Sequence, residues 1–293
     1  MSTAAKNEAA RFFAPEKAFD RPVPAIPAML FSQQRAQAFA PDAITGFIDC
    51  DISAQIGTDW PATTPTLLAR YLVIRAGETI KASFHSSGEV FHVIRGSGQT
   101  RCDGACLAWG ARDSFCLPGG KMAIHDASED AILLQVTNEP ELRYLRAVPA
   151  QAAAVAPTLF PFAEAQAHLR AVHGRNGEQR AAGKSVIFLS ALMHDRRVTT
   201  PTMLAAINSL EPGGDQRAHA HSSVALTLGI ESEGVFSRVD GQQLDWEADT
   251  LFITPPGCIH SHHNRGSSMM LSFVVQDTAL HTQLRTTNFQ WKD

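Results

Sequence analysis

Apolar positions along this chain come in short runs separated by glycine- and proline-bearing polar interruptions. Residues 68–74 form one such run, ended by Gly77. Residues 90–94 form another, followed by Gly96-Ser97-Gly98, and residues 131–136 close the first series. The pattern resumes at residues 184–189, 203–210 and 269–275. Short runs of this kind, bounded by turn residues, predict the strands of an antiparallel barrel or sandwich. Between the two series, residues 162–172 carry helical spacing, and residues 174–183 read as a loose polar stretch. The Pro- and Ala-rich start reads as an arm that packs on something larger, and a short polar tail is expected after the last strand. The expected organisation is an arm over 1–60, a first β unit over 61–147, a linker with one helix over 148–184, and a second β unit over 185–293.

The two β units repeat one another. Gly77 stands six before Ser83, and Gly213 stands six before His219. Ser83-Phe84-His85 then matches His219-Ala220-His221. Further on, Asp103-Gly104 corresponds to Asp240-Gly241, Leu107-Ala108-Trp109 to Leu244-Asp245-Trp246, and Pro118 to Pro255. Self-similarity of this length implies two barrels of one type in one chain.

Bulk composition narrows the chemistry. A hydrophobic fraction of 44% in 293 residues supports real cores, and a net charge of −4 with mixed signs offers no basic field to nucleic acid. No run reaches the roughly 18 apolar residues of a membrane-spanning helix, and the first residues lack an apolar signal core. Five scattered cysteines (Cys50, Cys102, Cys106, Cys116, Cys258) read as reduced thiols of a cytoplasmic protein.

The candidate chemistry lies in the second unit. His219 and His221 are two apart, so a strand points both side chains to one face. About forty residues later comes Pro255-Pro256-Gly257-Cys258-Ile259-His260-Ser261-His262-His263. A third histidine from that strand lets three imidazoles converge on one metal while leaving positions open for ligands. His262, two past His260, returns to the same face and is a candidate substrate contact or proton carrier. His263 is expected to point away. Gly96-x-Gly98 has no following helix and reads as a turn rather than a dinucleotide loop. Residues 231–234 are expected to form a solvated hairpin.

These motifs resemble the cupin superfamily, and specifically a bicupin: an all-β chain of two double-stranded β-helix (jelly-roll) barrels joined by a short helical linker. Gly213, His219 and His221 fit the family's first motif, and Pro255, Gly257, His260 and Asn264 fit its second. The acidic ligand of the first motif is replaced by Ala225 or Leu226, and Ala248 stands near the glycine of the second. In the first unit, Gly77, His85, Glu89 and Gly96 fit, but Ser83 and Ala123 hold two histidine positions, and His92 and His125 lie off the motif. The first unit therefore reads as a degenerate, structural or dimer-forming cupin.

The version without the glutamate is similar to gentisate 1,2-dioxygenase and its salicylate relatives. That resemblance implies an extradiol-type, ring-cleaving dioxygenase that uses Fe(II) and incorporates both atoms of O2, with His219, His221 and His260 as metal ligands. It implies a small-molecule substrate and O2 as partners; the N-terminal arm and the spare barrel suggest a homodimer or larger assembly, and charge and hydropathy give no nucleic acid or membrane partner. It places Asn208 where relatives carry a substrate-facing glutamine, Thr227 where they carry a carboxylate-pairing arginine, and Val274 near an acidic position. Arg217 is then the candidate replacement cation. Imidazole ligands suit Zn, Ni or Mn as well. A diketone- or enolate-cleaving cupin, a non-catalytic metal- or ligand-binding cupin, and a zinc or nickel hydrolase or isomerase stay open as alternatives.

Overall fold

The computed structural model describes residues 9–12, 14, 16, 23–174 and 183–292; most of the loose stretch expected over 174–183 lies outside the described residues. The first half contains helices α1 (Ser32–Ala38), α2 (Ser53–Ile56) and α3 (Glu139–Leu145). Its strands are β1 (Gly46–Asp49), β2 (Leu68–Ile74), β3 (Thr79–Ala82), β4 (Gly88–Arg95), β5 (Gly98–Cys102), β6 (Ala105–Trp109), β7 (Ser114–Pro118), β8 (Ala123–Ala127) and β9 (Ala131–Thr137). The connection carries β10 (Thr158–Phe160) and α4 (Phe162–His173). The second half has β11 (Lys184–Phe188), β12 (Leu204–Leu210), β13 (His219–His221), β14 (Ala225–Glu231), β15 (Val235–Val239), β16 (Gln242–Asp245), β17 (Leu251–Thr254), β18 (His260–Asn264) and β19 (Met270–Gln276). It ends in α5 (Thr278–Leu284) and β20 (Phe289–Trp291).

The strands form two barrels, each of two antiparallel sheets. Sheet β1-β2-β9-β4-β7-β10 faces sheet β3-β8-β5-β6, and sheet β11-β12-β19-β14-β17 faces sheet β16-β15-β18-β13-β20. The repeat read from the sequence holds down to the turns. Asp103 and Gly104 have φ of 47° and 80°, and Asp240 and Gly241 have 47° and 84°. Positive φ at both central residues is the two-residue hairpin turn whose twist matches the strands it joins.

The uninterrupted apolar runs follow from burial on both faces. In β2, Ala69, Tyr71 and Val73 face the second barrel, while Leu72 and Ile74 face the interior of their own. In β12, Ala205 and Ile207 face the first barrel, and Ala206 turns inward. The large sheets therefore share one core. It is fastened by His92 stacked on Phe273 at 4.7 Å, by the Arg112–Glu231 ion pair, and by Tyr71, whose hydroxyl donates to the Asp249 carbonyl at 2.8 Å and accepts from the Leu251 amide at 3.0 Å. Glu231 thus ties the barrels together, where a merely solvated hairpin was expected.

Each barrel also borrows an edge. The Phe31 amide donates to the Leu251 carbonyl at 2.8 Å and the Ile253 amide to the Met29 carbonyl at 3.0 Å, so the N-terminal arm pairs with β17 of the second barrel. In the matching place, β10 pairs with β7 of the first barrel. The C-terminus departs from the expected polar tail. Residues 289–291 return as β20 and pair with β13, because Phe289 and Trp291 find aromatic packing on the His219 ring.

Candidate metal centre

His219 on β13 pairs directly with His260 at the start of β18, which brings two distant histidines side by side. The tight turn before β18 has Gly257 at φ 76°, and its amide donates to the His221 carbonyl at 2.7 Å, tying both ligand strands together. The ring centroids of the three histidines are 4.2, 4.7 and 5.7 Å apart, and one nitrogen of each lies within 4.8 Å of the other two. Among the described residues, this is the cluster of His, Cys, Asp or Glu side chains that can close on a metal ion.

The hydrogen bonds behind the rings explain the convergence. Nδ1 of His219 donates to the Arg217 carbonyl at 2.9 Å, Nδ1 of His221 to the Ser223 carbonyl at 2.8 Å, and Nδ1 of His260 to the Cys258 carbonyl at 3.0 Å. A carbonyl only accepts, so each Nδ1 carries the proton and each Nε2 presents a lone pair. Burial lowers the pKa of all three, His260 to about 3, which keeps them neutral. One nitrogen of each ring is left to face the other two, and all three lie within 4.8 Å of one another. This donor set fits a divalent cation, and the backbone carbonyls behind it are the outer partners that fix ligand orientation.

The triad opens on a cavity of about 260 Å³ that also reaches Asn208, Thr227, His262, Val274, Gln276 and Phe289. Ala206, Ala225 and Val274 make one wall apolar, with Leu204 packed against it. Two polar atoms that help line the cavity residues, Thr254 Oγ1 and Gln216 Oε1, are buried without a hydrogen-bond partner. Arg217 is not among the residues that line the cavity. Its guanidinium lies 5.1 Å from the centre of the Trp291 ring, a cation–π contact. His262 is buried, with Nδ1 2.8 Å from the Ser237 hydroxyl and the ring edge-on to Trp246. Burial lowers its pKa well below the ordinary value. His263 faces away, as expected, and bonds Asp215 and Ser261 while stacking on Phe236.

Sequence reasoning missed Gln216, Gln276, His281 and Phe289 as cavity residues. Gln276 follows from strand alternation two past Val274, but Phe289 has no such signal because its position depends on β20 folding back. It also set His125 aside. By strand register, His125 is the counterpart of His262: Cys102 pairs with Ala123 as Val239 pairs with His260, and each histidine comes two residues later.

Residues 206–276 match the Cupin domain family. Gentisate 1,2-dioxygenase of a Streptomyces species is 35% identical over 106 residues, which cover 36% of this chain and 28% of that protein. 5-aminosalicylate 1,2-dioxygenase of a Comamonas species is 36% identical over 84 residues, covering 28% of this chain and 22% of that one. These matches thus span under a third of each relative's length. The structure of salicylate 1,2-dioxygenase from Pseudaminobacter salicylatoxidans superposes with a TM-score of 0.78 at 13% identity, covering 94% of this chain and 91% of that one, a likeness of fold. With the repeated barrels and the glutamate-free histidine motif, these similarities show a bicupin fold whose second barrel resembles the gentisate and salicylate 1,2-dioxygenases.

Proposed function

We propose that this chain is a dioxygenase that holds one Fe(II) on His219, His221 and His260 and cleaves the ring of a chelating aromatic substrate with O2. One observation carries the reading: three Nε2 lone pairs converge, each set by a proton held on Nδ1 against a carbonyl. The gentisate and aminosalicylate dioxygenases that match the second barrel supply the reaction class. Bound there, Fe(II) supplies a template for substrate and O2 and stabilises the negative charge that develops.

The chain's own residues do the rest. Three neutral imidazoles add no negative charge, so the site favours an anionic chelating ligand such as a phenolate. Ala206, Ala225 and Val274 exclude water and pack an aromatic ring. Asn208 and Gln276 offer amides to substrate oxygens, and Thr254 Oγ1 and Gln216 Oε1 are polar groups in want of partners. His262 orients substrate and holds a proton at the cavity wall.

The apolar wall favours a second reading. With Thr227 and Val274 at the expected positions of an arginine and an acid, and Arg217 drawn to Trp291, the cavity also suits a diketone enolate. Oxygen uptake and product analysis with the Fe(II)-loaded protein on gentisate, salicylate, hydroquinone, catechol and acetylacetone separate the two. Ring-opened products support the proposal. Turnover of acetylacetone alone replaces it with the second reading, and no uptake on any of the five, with metal bound, turns it to a binding cupin.

A further inference from the structure

Both barrels contain the same three-member chain of side chains, and only one of the two opens on the metal cavity. In the second barrel, Trp246 Nε1 donates to the Ser237 hydroxyl at 2.7 Å, and that hydroxyl lies 2.8 Å from His262 Nδ1. In the first, Trp109 Nε1 donates to the Thr100 hydroxyl at 2.9 Å, and that hydroxyl lies 2.8 Å from His125 Nδ1. The hydroxyls and His125 are fully buried, and the other members are nearly so.

Proton accounting fixes the direction of each chain. An indole N–H only donates, so it occupies the hydroxyl oxygen as acceptor. If His262 Nδ1 also donated to Ser237, the serine's own proton would be buried with nothing to receive it, because Trp246 and His262 are the partners of that hydroxyl. A buried donor left unmade costs about 1–3 kcal/mol. The arrangement that satisfies every group has Ser237 donating to Nδ1, which leaves the ring proton on Nε2.

We infer that Ser237 and Trp246 are positioning residues that hold His262 as an Nε2–H donor toward the cavity. Building on the proposed ring-cleaving function, the substrate atom that meets His262 is then a hydrogen-bond acceptor, an anionic phenolate or carboxylate oxygen or a carbonyl, and not a hydroxyl or amine proton. This also supplies a directed donor near the place of the missing arginine, facing a cavity whose other wall is Ala206, Ala225 and Val274. The first barrel shows the same relay without a client: His125 Nε2 is buried and has no partner, with the Phe91 ring centred 5.3 Å away.

The test reads the tautomer itself. The full chain, labelled with ¹⁵N-histidine and loaded with diamagnetic Zn(II), is examined by long-range proton–nitrogen correlation, with His262→Gln assigning the signals. The expected spectrum has His262 protonated at Nε2 and bare at Nδ1. Ser237→Ala should shift His262 toward the other tautomer, and Ser237→Thr should restore the native pattern, since Thr100 makes the same bonds in the first barrel. Trp246→Phe gives an independent arm should Ser237→Ala not fold. A native His262 protonated at Nδ1, or an unchanged pattern when the relay is cut, overturns the inference. Salicylate titrated into the zinc protein should bind about tenfold more weakly to Ser237→Ala and normally to Ser237→Thr, as expected for one misdirected hydrogen bond to a charged group. Equal affinity for Ser237→Ala and the native protein counts against the role toward ligand. Absence of salicylate binding to every variant counts against the proposed function, while the spectrum still decides the relay.

Discussion

The two barrels place different chemistry on the same strand positions, and the difference separates a closed core from an open site. By register, Arg70 on β2 stands where Ala206 stands on β12, Glu89 where Ala225 stands, and Gln135 where Val274 stands. In the first barrel these polar groups are paired, save for Glu89 Oε1: Arg70 pairs with Glu139 at 2.6 Å and Asp49 at 2.8 Å, and Gln135 donates to Glu89 at 2.8 Å. Phe91 and Phe115 stack at 4.6 Å in the interior. In the second barrel the same positions are small and apolar, and a cavity lies beside three histidines. The same strand positions thus fill the first barrel and leave a cavity in the second.

The largest expected effect comes from breaking the open site. His260→Ala removes one of three ligands that have no carboxylate among them. It should abolish oxygen uptake and lower metal affinity by at least about a hundredfold, beyond the 10–100-fold typical of losing an outer partner. Far-UV circular dichroism should stay native, because the cores of both barrels are formed without the ion. Unfolding of the variant would show the metal to be structural and would erase the contrast between a packing barrel and a binding one.

The converse experiment tries to open the closed barrel. Ser83→His with Ala123→His restores both missing histidine positions beside His85. Metal should nevertheless remain at one per chain by elemental analysis. His85 Nε2 is already engaged by the Ala147 carbonyl at 2.6 Å, and the stacked phenylalanines fill the interior. A second equivalent of metal would mean that sequence motif alone, and not packing, separates the barrels.

That contrast also marks what the chain discloses as sequence. The double repeat is legible because turns and ligands carry specific residues: Asp-Gly at positive φ, glycine before His260, and histidines two apart. The bicupin fold follows from those. The carbonyls that orient the ligands are invisible, since any residue supplies one. The direction of Arg217 is equally hidden, because it depends on Trp291 arriving from a strand 70 residues later in register with β13. His125 seemed off the motif because the motif marks metal ligands, whereas its role is in a buried relay. The exchanged edges at residues 29–31 and 158–160 are too short to show periodicity.

A third test sharpens the chemistry of the apolar wall. With threonine at 227 in place of the arginine, the Fe(II)-loaded protein should not prefer gentisate or salicylate over hydroquinone or catechol by more than about a hundredfold in kcat/KM. A buried charge pair discriminates by about 2–5 kcal/mol when one partner is removed. A preference above a hundredfold for the carboxylates would show that another cation reaches the cavity, and the comparison with the charged interior of the first barrel would lose its functional meaning.

The smallest effect belongs to Glu89, the acid that the second barrel replaces with Ala225. Burial raises its pKa to about 8, with the Gln135 hydrogen bond opposing, and its Oε1 has no partner. The folded state therefore holds this proton more tightly than the unfolded chain, whose carboxyl titrates near 4.5. Stability from this group is fully present below that value and is lost as pH rises toward 8. Buried His92 and His125, lowered to about 3 and 4, act with the opposite sign below their ordinary 6.5 and mask the loss there. The window from 6.5 to 8 exposes Glu89, where the slope is about 1.4 kcal/mol per pH unit and the total about 2 kcal/mol. Denaturant melts across that window should show native stability falling and Glu89→Gln nearly flat, with the variant the more stable at pH 8. Parallel curves for the two proteins would mean that Glu89 is ionised in the folded state, and that the polar network of the first barrel holds a charge that Gln135 and the nearby Arg70 suffice to stabilise.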